Sequence, residues 1–166
     1  MKHQAHGRRI AAVFVAGVIP LVAVGSASSA ASSRVGTAAP TLPVVELLSR
    51  GTVTNPVEAE ARGIELETER PIDVVTAHLT FEPGSSIGWH THPGPTVVTV
   101  IAGSLTTVQR DCTSETYETG DTFIEEGPQR HLARNAGSST AETIVTFFVP
   151  VGADPLSIPA SAPSSC

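Results

Sequence analysis

From residue 43 to residue 150 the chain is built of short apolar stretches rich in β-branched residues, each closed by a turn signal. The apolar stretches predict strands near 44–49, 64–69, 72–82, 87–92, 96–102, 104–109, 122–124, 130–135 and 141–149. Gly51, Asn55-Pro56, Pro83-Gly84, Pro93-Gly94, Gly103, Gly120-Asp121, Gly127-Pro128 and Asn135-Ala136-Gly137 punctuate them. No window of helical length carries a sustained 3.6-residue stripe. Only 56–62 (PVEAEAR) reads as one short helical turn, since alanine and glutamate favour helix. Many short strands at regular spacing predict an all-β domain, closed or double-sheeted and antiparallel.

The ends of the chain have a different texture. Lys2, Arg8 and Arg9 precede an apolar run from Ile10 to Val24, and the small residues GSASSAASS follow. Basic, apolar and small segments in that order predict a secretory signal peptide helix over residues 1–30, cleaved after Ala27 or Ala30. The run is short for a bilayer span of about 20 residues, and Pro20 interrupts it, so a stable membrane anchor is the lesser reading. Residues 31–42 read as a flexible lead, 43–153 as the folded domain, and 154–166, rich in Pro, Ser and Ala, as a tail. The expected destination is outside the cell or in its envelope.

Charge narrows the chemistry. The net charge is −6, from ten basic and sixteen acidic residues, and the only lysine is Lys2. Residues 31–166 keep seven arginines against all sixteen acids, which leaves −9. Such a body cannot displace counterions from a phosphate backbone, so nucleic acid is not an expected partner. Without lysine it cannot form a Schiff base. No G-x-S-x-G, P-loop or G-x-G-x-x-G pattern occurs. Cys112 and Cys166 are the two cysteines, and export makes a disulfide their default; two free thiols are the alternative.

His3 and His6 belong to the signal, which leaves His78, His90, His92 and His131. His90 and His92 are two apart, and in an extended strand residues i and i+2 face the same side. Pro93 favours that extended conformation in His92. Two imidazoles on one strand make half a metal site, or else a plain surface pair, and His131 is the candidate third ligand. His78 alternates with Leu79 and Phe81 and so faces solvent or the core edge. Trp89 points away from the two histidines into packing, and Tyr117 and Phe123 fill core.

The residues around these histidines form two spaced strings, Gly84-x5-His90-x-His92-x3-Thr96-x6-Gly103 and Gly120-x5-Glu126-x-Pro128-x2-His131-x3-Asn135. They resemble the two signature motifs of the cupin superfamily, strongly over 85–149 and loosely over 43–84. The resemblance implies a jelly-roll β-barrel that holds one divalent metal (iron, manganese, nickel, zinc or copper) through His90, His92 and His131, with Asn135 in a structural role. It supports the Cys112–Cys166 bond and leaves a homodimer open. Thr96 falls where the family carries a ligand glutamate, and a hydroxyl is a poorer donor to a divalent ion. Glu126 and Pro128 stand in place of the family's proline and glycine. Glu125 or Glu126 is the expected acid or base at the site's mouth. Two functions follow: a metal-dependent, dioxygenase-like enzyme on a small oxygenated molecule, or a non-catalytic module of the envelope that binds a small molecule or sugar.

Overall fold

Twelve strands run through residues 40–166, the part of the chain described by the computed structural model. The predicted signal segment and the first part of the lead lie outside the described residues. The strands are β1 (Val44–Val53), β2 (Val57–Ala61), β3 (Ile64–Thr68), β4 (Ile72–Phe81), β5 (Ser86–Thr91), β6 (Thr96–Ala102), β7 (Ser104–Gln109), β8 (Ser114–Glu118), β9 (Thr122–Glu125), β10 (His131–Arg134), β11 (Ala141–Pro150) and β12 (Ile158–Pro159). One sheet has the order β1-β4-β11-β6-β9 and the second β12-β5-β10-β7-β8, with β2 and β3 as a separate hairpin. Every pairing is antiparallel. This is the all-β jelly roll expected, and the described residues contain no helix.

The alternation of side chains builds the interior. β4 and β11 pair along their whole length, from Phe81 opposite Ala141 to Ile72 opposite Pro150, and every second residue of each is buried. Val75, Ala77, Leu79 and Phe81 face inward from β4, and Val145, Phe147 and Val149 from β11. Leu105 and Ala133 meet them from the second sheet. Full burial of one such aliphatic or aromatic side chain contributes about 1.5–3 kcal/mol, which fixes the register, because a slip by one residue turns every one of them outward.

Three elements depart from the expectation. The stretch 56–62 is not a helical turn: Val57–Ala61 is a strand, paired with β3 from Val57 opposite Thr68 to Ala61 opposite Ile64. Arg62 and Gly63 both have positive φ, 54° and 79°, the backbone of a two-residue type I′ hairpin turn. That turn returns the chain along itself, and ladder bonds outweigh the weak helical preference of Ala and Glu. Strands β8 and β12 were not expected from the pattern. β12 lies in the tail and pairs with β5, Pro159 opposite His90. Further along the tail, the sulfurs of Cys166 and Cys112 are at disulfide distance.

Candidate metal centre

Strand pairing brings the three histidines together. His90 and His131 are direct partners across β5 and β10. His92 lies just beyond β5, where its amide donates to the Gly127 carbonyl at 2.8 Å, tying it to the turn between β9 and β10. All three rings are buried, and one donor nitrogen from each lies within 4.8 Å of the others.

The second nitrogen of each ring is fixed by a carbonyl. His90 Nδ1 donates to Gly88 O (2.8 Å), His92 Nδ1 to Leu156 O (2.7 Å) and His131 Nδ1 to Gln129 O (3.0 Å). A carbonyl only accepts, so each ring carries a proton on Nδ1 and turns Nε2 toward the common centre. That arrangement is the one by which proteins orient histidine ligands. Burial pushes the His90 pKa down to about 4, so that ring is neutral at physiological pH and its Nε2 has a free lone pair.

Glu125 enters the same space. β9 alternates, with Phe123 and Glu125 turned inward and Ile124 outward. Glu125 Oε2 lies 3.0 Å from His92 Nε2, and Oε1 lies 3.1 Å from His131 Nε2. Burial works to raise the Glu125 pKa, but the contacts with His131 and His92 outweigh it and hold the carboxyl below its ordinary range. His131 is pulled down by burial and up by Glu125, with a net rise. The His131 contact is misaligned as a hydrogen bond, and Nε2 is left buried without a partner. An orphaned imidazole nitrogen, two more aimed at the same point and a carboxylate beside them suit a divalent transition ion: borderline-soft nitrogen donors with one negative charge.

The other predicted residues fall as follows. Thr96 is fully buried in β6, directly opposite Glu125, with its hydroxyl on the Gly94 carbonyl at 3.4 Å. Glu126 is exposed and bonded to Gln129. His78 faces outward and pairs with Glu142 at 3.0 Å. Trp89 is half-buried, and Tyr117 stacks on Phe123 with ring centroids 4.0 Å apart. Asn135 donates to Phe81 O and Ser139 O and accepts from the Gly137 amide, a structural knot at the end of its motif.

A cavity of about 760 Å³ opens onto this cluster, with His90, His92 and Glu125 in its wall. Leu79, Phe81, Val98, Leu105, Val145 and Phe147 make most of its lining apolar. Thr143 adds a buried hydroxyl with no partner. One side is closed by Gly152 and by Asp154 to Ser157 of the tail, so the segment that looked featureless in sequence lines the cavity and orients His92. Among the sequence signals, only the period-2 alternation of 122–126 distinguishes Glu125 from Glu126, and none points to Leu156 or Thr143.

No curated protein matches the chain. Among solved structures, an uncharacterised double-stranded β-helix protein of Klebsiella pneumoniae is 21% identical over 70% of this chain and 84% of its own, with a TM-score of 0.48. A cupin domain of Bordetella pertussis is 14% identical over 67% of this chain and 97% of its own, with a TM-score of 0.47. A DMSP lyase of Ruegeria pomeroyi is 14% identical over 48% of this chain and 40% of its own, with a TM-score of 0.44. The family model of the cupin domain matches residues 77–147, which span both histidine motifs. Fold, motifs and family model agree, and residues 77–147 are a cupin domain.

Proposed function

We propose that this chain is a metal-binding cupin in which His90, His92 and His131 hold one divalent transition metal (iron, manganese, nickel, zinc or copper) at the wall of an apolar cavity for a small molecule. The observation that carries the reading is the convergence of three buried imidazoles, each with Nδ1 bonded to a carbonyl and Nε2 turned to one point. When bound, the metal supplies a Lewis acid or an oxygen-binding centre. The chain's own residues orient the ligand and exclude water: Phe81, Leu105 and Phe147 enclose an apolar body, and the Thr143 hydroxyl meets one polar group. An apolar lining with few polar groups favours a mostly hydrophobic oxygenated molecule over a sugar, which needs many hydrogen-bond partners. Oxygen uptake by the metal-loaded protein separates turnover from simple binding. An exported, disulfide-bonded state belongs to the same proposal, supported by the signal-like leader and the proximity of Cys112 and Cys166. Exposed Val44, Val45, Leu47 and Leu48 on edge strand β1 support a homodimer.

The test is metal content by elemental mass spectrometry on protein recovered from its own culture medium, beside a His90→Ala/His131→Ala variant. About one equivalent of a transition metal is expected in the wild type and none in the variant. A folded wild type without metal, which also takes up none when supplied, refutes the metal centre.

A further inference from the structure

The sequence puts a threonine where a fourth, negatively charged ligand was expected, and three neutral imidazoles alone leave a +2 ion uncompensated. The fold has a carboxylate one strand away. Thr96 of β6 and Glu125 of β9 are direct register partners, and Glu125, 8% exposed, is turned into the barrel toward the histidines. We propose that Glu125 is the fourth protein ligand of the metal centre, its carboxylate supplied from the strand beside Thr96.

Three observations carry this. The first is distance. Two donors each about 2.1 Å from one ion, and at right angles around it, stand about 3.0 Å apart. Glu125 Oε2 to His92 Nε2 is 3.0 Å and Oε1 to His131 Nε2 is 3.1 Å. The carboxylate therefore already stands from these two nitrogens as neighbouring ligands stand from each other.

The second is charge. His90, His92 and His131 each hold a proton on Nδ1 against a carbonyl. A carboxylate oxygen facing the lone pair of Nε2 at such a distance is repelled unless a cation lies between them. A proton on one Nε2 relieves one of the two contacts; a divalent cation held among the imidazoles would relieve both.

The third is volume. Thr96 is fully buried and Glu125 reaches in from the opposite position of the same rung. A second glutamate at 96 would bring two buried anions together, so a small side chain there is the natural companion of Glu125.

This inference rests on the metal-centre reading, and one titration separates their failures. Metal-free wild type, Glu125→Gln, Glu125→Asp, the double variant Thr96→Glu/Glu125→Gln, and His90→Ala/His131→Ala are each titrated with Co²⁺, followed by visible absorption, and with Zn²⁺ against a chromophoric chelator. Circular dichroism checks that each is folded. We expect one equivalent bound by the wild type and none by the double-histidine variant. Glu125→Gln should bind at least about tenfold more weakly, with a changed Co²⁺ spectrum, and Thr96→Glu should recover most of that loss. If Glu125→Gln does not fold, Glu125→Asp, whose carboxylate is withdrawn by one methylene, carries the same expectation. Unchanged affinity and spectrum in the folded Glu125 variant, with metal binding lost in the double-histidine variant, overturns the fourth ligand and leaves the three-histidine centre standing. A folded wild type that takes up neither ion overturns both.

Discussion

His90 illustrates how a side chain is tuned by its surroundings alone. Its ring is buried, its Nδ1 is spent on Gly88 O, and burial lowers its pKa from 6.5 to about 4. The unfolded chain takes up a proton on this ring near pH 6.5, whereas the folded, metal-free protein resists until about pH 4. Between those values the unfolded state binds more protons, so stability falls as pH falls through the window and is unaffected by this ring above it. The shift corresponds to about 3 kcal/mol at most. Urea unfolding of metal-free protein at steps from pH 7 to pH 4 should show that acid loss, and His90→Gln, which has no ionising ring, should lack His90's share. Parallel pH profiles of the two proteins would contradict it. Glu125 and His131 titrate in both, so the difference between the curves isolates His90.

At the scale of elements, the site is held by contacts between turns as much as by strands. Gly94, in the turn after His92, passes so close to β11 that a Cβ built there would lie 2.0 Å from the Phe148 carbonyl oxygen. A Cβ built on Gly127 would in turn lie 3.0 Å from the Gly94 carbonyl carbon, and Gly127 follows Glu125 by two residues. Gly94→Ala must therefore push the turn that follows His92 away from the β11 backbone, beside the histidine cluster. A loss of about 1–3 kcal/mol is expected in denaturant unfolding, together with weaker Zn²⁺ uptake, and a variant as stable as the wild type would show that the turn yields freely. How much of this was readable in the sequence follows from the same contacts. The apolar runs 72–82, 96–102 and 141–149 announced β4, β6 and β11, because buried alternation leaves a period in the sequence. Ser114–Glu118 and Ile158–Pro159 form strands only because partners are presented to them, and Val57–Ala61 because Arg62-Gly63 turns the chain back. Spacing alone paired His90 with His92, and the resemblance of the two motifs to the cupin signatures added His131; the three do lie together. The register that sets Glu125 against Thr96, and the tail carbonyl that aims His92, arise from pairing between distant segments and leave no local trace.

Over the whole molecule, two sheets form the barrel and the tail completes it. Leu156 aims His92, Ala160 N donates to Trp89 O at 2.8 Å, Pro159 pairs with His90, and Cys166 reaches Cys112 beyond β7. Replacing both cysteines by serine should lower unfolding free energy by about 2–4 kcal/mol, and equal midpoints for oxidised wild type and variant would count against a bond that stabilises the domain. The ladders of β4, β11 and β6 do not involve the tail, so the barrel should outlast the loss of that bond. Reduction should therefore loosen the end of the tail first, while the wall of the chamber at Leu156 stays held by the Leu156–His92, Pro159–His90 and Ala160–Trp89 contacts.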